Sequence, residues 1–189
     1  MNLLTRALRR FTVKDLILIA AMAALGIAVK AVVTPLIHVV SAPLLIPGGA
    51  LAGGLYMMWL LVAVGLTGKR GSATLVGLIQ AILVTLTGVS SSHGLLSLLS
   101  YTLPGLAVDA SLLLVRHRIC CLPCTFVCGI LANISGTLAV NWIFFRLPLA
   151  PLLFSLLVAA FSGGLGGVLA WRLLQALRRF NIAAQMEEG

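Results

Sequence analysis

A polar side chain deep in an apolar run is costly to bury in a membrane, so each such group is a candidate site. Lys30 comes first, a cation within the first long apolar stretch. It lies about 22 Å beyond Asp15 along one helix at 1.5 Å per residue. On a helical wheel it points away from the Ala20, Ala24 and Ala28 stripe. If that stripe meets a partner, the ammonium faces the bundle interior, where it can hold a ligand. The other reading is a lysine snorkelling to the outer headgroups. Gln80 lies about 12 Å into its helix, and Asn133 about 21 Å into another. Either amide can read a ligand's hydrogen-bonding edge. Either can equally make an interhelical hydrogen bond, worth about 1 kcal/mol.

A second set sits towards the same side: His38, His93, Asn141, Trp142 and Arg146. With Lys30 these residues would line an outward-facing pocket. Arg146 beside Phe144 and Phe145 suits a carboxylate or phosphate, or is a plain interfacial arginine. Trp142 is a pocket residue or a belt residue at headgroup level. Tyr56, Trp59 and Tyr101 are pocket walls or lipid anchors. Asp109, about 10 Å from the inner end of its helix, suits an ion pair with Arg116 or Arg118.

Cys120, Cys121, Cys124 and Cys128 fall in one segment. A metal usually needs four convergent ligands. Thiols on one helix cannot supply them unaided, so small polarizable packing groups are expected there. No metal and no cofactor are expected. The chain has no phosphate-binding glycine loop with its Lys-Ser/Thr, no His-Glu-x-x-His and no Gly-x-Ser-x-Gly. Its acids are too few for paired acid–base catalysis. An enzyme is the weakest function class.

The elements that must position these groups follow from composition and charge. Apolar residues form 61% of the 189 residues and charged ones 9%, too little polar surface for a soluble domain. All but Lys30 and Arg146 of the 13 basic residues fall in four clusters. These are Arg6 to Lys14, Lys69–Arg70, Arg116–Arg118 and Arg172 to Arg179. The clusters occupy alternate junctions between apolar stretches. Basic residues stay on the cytosolic side, so the pattern predicts a single all-α bundle of six transmembrane helices with both termini cytoplasmic. The net charge of +9 is a topology signal and a contact with anionic lipid, not a nucleic-acid footprint.

Helices are expected over 13–33, 48–66, 72–86, 95–115, 119–140 and 152–177. Pro35, Pro43 and Pro47 predict an irregular lid-like loop over 34–47. The tail 181–189 reads as disordered. Gly48, Gly49, Gly53 and Gly54, and again Gly163, Gly164, Gly166 and Gly167, let helix backbones approach closely.

The six-span layout, the Ala20–Ala24–Ala28 face and the run from Gly54 through Trp59, Lys69-Arg70-Gly71 and Gln80 to Gly88 resemble an S component of an energy-coupling factor (ECF) transporter. Within that family the run is nearest the hydroxymethylpyrimidine/thiamin-type branch. The resemblance implies capture of a small water-soluble vitamin or related micronutrient from outside, in the cell membrane. It implies docking to a transmembrane coupling subunit through the alanine face, with two cytosolic ATPases driving release as the S component topples. That branch tends to carry acids in the third helix, where this chain has Gly77 and Val84. Their absence, beside Lys30 and Arg146, leaves room for a neutral or anionic ligand. The alternative class is a scaffold membrane protein such as a cell-shape factor.

Overall fold

The computed structural model describes residues 11–41, 48–87, 97–114, 119 and 121–187. These form helices α1 (Val13–Ser41), α2 (Gly48–Thr67), α3 (Ser72–Thr87), α4 (Ser97–Leu114), α5 (Leu122–Val140) and α6 (Leu149–Glu187). A π-helical turn, Asn141–Phe145, follows α5. No strand occurs among the described residues. Four of the helices are long and apolar enough to cross a membrane, and the remaining two, α3 and α4, are shorter apolar helices. Leu86, Leu114, Leu157 and Phe161 point outward and are exposed. An apolar surface of this kind is what lipid requires, and the chain is a multi-pass membrane bundle.

Helix α2 is the central post, packed against α1, α3, α5 and α6. Its stretch Leu60 to Val64 is buried without a break, as expected for a helix surrounded by protein. Glycine permits that crowding. A Cβ added at Gly54 would lie 1.9 Å from the Ser162 carbonyl oxygen, and one at Gly166 would lie 2.1 Å from that of Gly54. Gly129 and Gly163 bring α5 and α6 together in the same way. Gly77 and Gly105 do so for α3 and α4, at 2.5 Å from the Tyr101 and Ala73 carbonyls. Close backbone approach is how helices associate where lipid removes the hydrophobic drive between them.

Two expectations need correction. Helix α1 does not stop at Val33. It runs through Pro35 to Ser41, so the first part of the expected lid is helix; residues 42–47 lie outside the described residues. Proline removes one N–H and crowds the Ala31 carbonyl. Unpairing a whole apolar segment in lipid costs more than that one bond. The tail is not disordered through 181–187, because α6 continues to Glu187. An established helix adds residues cheaply, and Ala183, Ala184, Gln185, Met186 and Glu187 are good helix formers.

One end of the bundle gathers acids and bases. The turn between α2 and α3 uses Gly68 and Gly71 at positive φ, 61° and 91°, where a side chain would be strained. Thr12 and Asp15 cap α1 reciprocally, a capping box. The Asp15 carboxylate also meets Lys69 at 2.5 Å. Asp109 accepts from Gly71 N at 3.0 Å, Thr74 N at 2.8 Å and Thr74 Oγ1 at 2.6 Å. It therefore caps α3 from a neighbouring helix. The expected partners, Arg116 and Arg118, lie outside the described residues. Nearby, the Cys121 and Cys124 sulfurs are 2.9 Å apart, and Cys128 is buried beside Ser111.

Candidate functional site

At the opposite end, a cavity of about 270 Å³ opens between α1, α2, α3, α4 and α5. Each wall comes from helical spacing. Lys30, Thr34 and His38 recur every four residues on α1 and form one stripe. Gly48 to Ala50 begin α2, which then presents Tyr56 and Met57 one to two turns on. Gln80 comes from the middle of α3, Ser100 and Tyr101 from the first turn of α4. Asn133, Gly136, Thr137 and Val140 follow the inner face of α5, and Phe145 closes the rim from the π-helical turn. In an otherwise apolar bundle, these polar groups converge on one space.

Lys30 is the cation of this lining. Its ammonium donates to the Tyr101 hydroxyl and stands 4.4 Å from the Tyr101 ring centre and 5.7 Å from that of Tyr56. Tyr101 meets it through the hydroxyl, and the Tyr56 ring is within cation–π range. The Tyr56 hydroxyl in turn lies 3.4 Å from Thr34 Oγ1. Gln80 is 5% exposed and its amide covers Gly26, where an added Cβ would be 2.2 Å from Gln80 Nε2. Glycine at 26 therefore keeps room for that amide at the cavity floor. Thr137 Oγ1 is buried with no partner among the described residues, as is Trp59 Nε1. Orphaned polar atoms of this kind are uncommon and call for an explanation such as a ligand or water.

Asn133 has a different standing. Its Nδ2 donates to Ala50 O at 3.1 Å and to Ala159 O at 2.9 Å, so it clasps α2, α5 and α6. Its oxygen packs where Gly53 lacks a side chain. Both of its N–H donors are committed to structure, and what it turns to the cavity is an amide edge.

Of the sequence-predicted residues, Lys30, His38, Gln80 and Asn133 line the cavity. Asn141, Trp142 and Arg146 do not. Asn141 follows Thr137 at helical spacing, but the π-helical turn widens the helix there. Its Oδ1 accepts instead from Leu147 N at 2.9 Å. Trp142 is 83% exposed on the outside. Arg146 ends the turn at φ 45°, its N–H bonded to the Asn141 carbonyl and its side chain exposed. His93 lies outside the described residues. Sequence reasoning missed Thr34 and Thr137, both legible as the next position on the stripes of Lys30 and Asn133. It left Tyr56 and Tyr101 undecided. Their hydroxyls needed partners once buried, and Lys30 and Thr34 were the groups within reach.

Comparison with known proteins bears on fold and family. A family model described as ABC-type cobalt transport system, permease component, matches residues 14–135. That stretch contains α1 from Lys14, α2 to α4, and α5 as far as Ser135, and so most of the cavity wall. Among solved structures, one described as "Crystal structure of an S-component of ECF transporter" aligns over 94% of each chain with a TM-score of 0.79 at 18% identity. The likeness is one of fold. No curated protein matches the sequence.

Proposed function

The chain belongs to the ABC-type cobalt transport system permease-component family, and on that premise we propose that it is the substrate-capturing S component of an ECF-type importer. It takes a small water-soluble micronutrient from outside the cytoplasmic membrane. The observation that carries this reading is the polar-lined cavity at the end of the bundle opposite Lys69, Arg70 and Arg178. Basic ends face the cytosol, so the cavity opens outward. A scaffold protein has no use for a polar space held open in an apolar bundle.

The coupling surface is the outer face of α1. Ala20, Ala24 and Ala28 are exposed there, alongside Ile17 and Leu25. Among the described residues no helix covers this stripe of small residues, although such stripes pack closely in lipid. A transmembrane coupling subunit fits it, with ATP hydrolysed by two cytosolic partner subunits. The chain then supplies selectivity rather than catalysis. The likeness of Gly54 to Gly88 to the hydroxymethylpyrimidine/thiamin-type branch concerns the α2–α3 turn and its flanks more than the cavity charge.

Replacing Ala24 with Trp tests the reading. Uptake by cells carrying the complete importer should be lost, while the purified chain keeps its ligand affinity. Normal uptake in Ala24→Trp would refute docking through this face.

A further inference from the structure

The whole chain has four acidic residues: Asp15, Asp109, Glu187 and Glu188. Asp15 is engaged with Lys69, and Asp109 caps α3. Both lie at the basic end. Glu187 and Glu188 come after Arg178 and Arg179 in sequence, and Arg178 on α6 reaches that same end through its bond to the Gly65 carbonyl. The segments 42–47 and 88–96, which connect α1 to α2 and α3 to α4 in sequence, contain no acid. Hence no carboxylate among the described residues meets Lys30.

A cation that far into a membrane protein pairs with an acid, a carbonyl or a watery space. Lys30 has two phenol rings and one hydroxyl. These solvate an ammonium in part, but they carry no net charge to oppose it. The other groups turned to the same space are of the kind that orient a bound molecule: the Gln80 amide, the His38 ring and the orphaned Thr137 hydroxyl. The site therefore has an unopposed positive charge, two flat aromatic walls and several neutral polar groups.

We propose that the cavity takes a small organic anion, with its carboxylate on Lys30 and its body against Tyr56 and Tyr101. This rests on the capture reading above and narrows it to a ligand class. The same groups disfavour a bare divalent cation as cargo. Lys30 repels it, and His38 comes with no carboxylate or thiolate among the lining residues. Divalent metals are held by imidazole, carboxylate and thiolate sets. A cationic ring meets the same repulsion. Ligand pockets commonly measure about 300–1,000 Å³, so a space of about 270 Å³ suits a molecule at the small end of that range.

The test uses the full chain in nanodiscs and matched probes. The acids are nicotinate, pantothenate and biotin. Their uncharged counterparts are nicotinamide, pantothenol and biotin methyl ester. Thiamin and Co²⁺ serve as cations. Thermal stabilisation and calorimetry read binding, and mass spectrometry identifies any small molecule that co-purifies. An acid should bind about 100-fold more tightly than its uncharged counterpart, the ratio expected when one partner of a desolvated charge pair is removed. Lys30→Met should bind both forms alike at the weaker level, and Lys30→Gln repeats the measurement should Lys30→Met fail to fold. A wild-type preference for the uncharged form, thiamin or Co²⁺ would overturn the anion assignment and leave capture standing. An acid preference that survives in Lys30→Met would overturn it too. Binding of no probe, with nothing co-purifying above an empty-nanodisc control, would sink the capture reading itself and the assignment with it.

Discussion

At the basic end of the bundle, Asp15 meets Lys69 and Asp109 accepts three hydrogen bonds from the start of α3. At the cavity end, Lys30 lies among phenols and amides with no carboxylate among the described lining residues. Both ends bury polar groups in an apolar bundle, yet they settle the cost differently. The first satisfies its charges within the chain, which fixes the α2–α3 turn and ties α4 to it. The second keeps a cation without a counter-charge of its own. In a membrane, a polar group satisfied internally is part of the architecture, and one left open is part of a site. A cavity of about 200 Å³ also lies at the basic end, lined by Lys69, Arg70 and Arg178. Lys69 and Arg178 there already bond to Asp15 and to the Gly65 carbonyl.

The strongest way to break this contrast is to remove Asp109. It is 6% exposed, and Asp109→Ala strips acceptors from Gly71 N, Thr74 N and the Thr74 hydroxyl together. Charge-assisted hydrogen bonds of this kind carry the larger net contributions. We expect a loss of about 3 kcal/mol in thermal unfolding of the detergent-solubilised chain. Ligand affinity at the far end should stay within a factor of two. A variant as stable as wild type but defective in binding or uptake would make Asp109 functional, and the division between the two ends would fail.

Lys30→Met supplies the converse with no ligand present. The thioether fills a similar volume, and the Tyr56 hydroxyl keeps its contact with Thr34 Oγ1. Replacing a buried charge with an apolar group is often neutral or stabilising. The ligand-free variant should unfold no earlier than wild type and gain about 1 kcal/mol. A substantial loss would mean that the Lys30–Tyr101 contact is a structural clasp like that of Asn133.

Much of this was legible because the signals were local. Apolar runs and basic junctions located all six helices, although α1 runs on to Ser41 and α6 to Glu187, past the expected ends at 33 and 177. Lys30, His38 and Gln80 were named as candidates from position, with snorkelling left open for Lys30 and an interhelical bond for Gln80, and all three line the cavity. What failed depended on bonds made at a distance. Pro35 reads locally as a break, yet the cost of unpaired backbone in lipid keeps α1 helical around it. Asn141 and Arg146 read as cavity residues if α5 is extended at 3.6 residues per turn. One π-helical turn rotates them off that face, and nothing in Asn-Trp-Ile-Phe-Phe announces it. Asn133 was open between ligand and clasp, because the Ala50 and Ala159 carbonyls that take its N–H groups lie on other helices. Asp109 was read with the nearest arginines in sequence, although its partners are backbone groups of α3.

The finest test separates the two charges of the basic end from one another. The Asp15–Lys69 pair joins α1 to the α2–α3 turn, but Lys69 is 33% exposed, and water and ions reach it. Pairs of this kind contribute little, and salt screens them. Asp15→Asn keeps an oxygen that can still accept from Thr12 N, so the cap survives while the ion pair goes. The variant should melt slightly earlier than wild type at low ionic strength, and the gap should close as salt is raised towards 1 M. Asp109→Ala, whose lost partners are buried backbone groups, should keep its full deficit at every salt concentration. A salt-resistant loss in Asp15→Asn as large as that of Asp109→Ala would show that the pair acts as a buried one. The basic end would then hold its charges in one manner throughout, and exposure would no longer explain which of them matter.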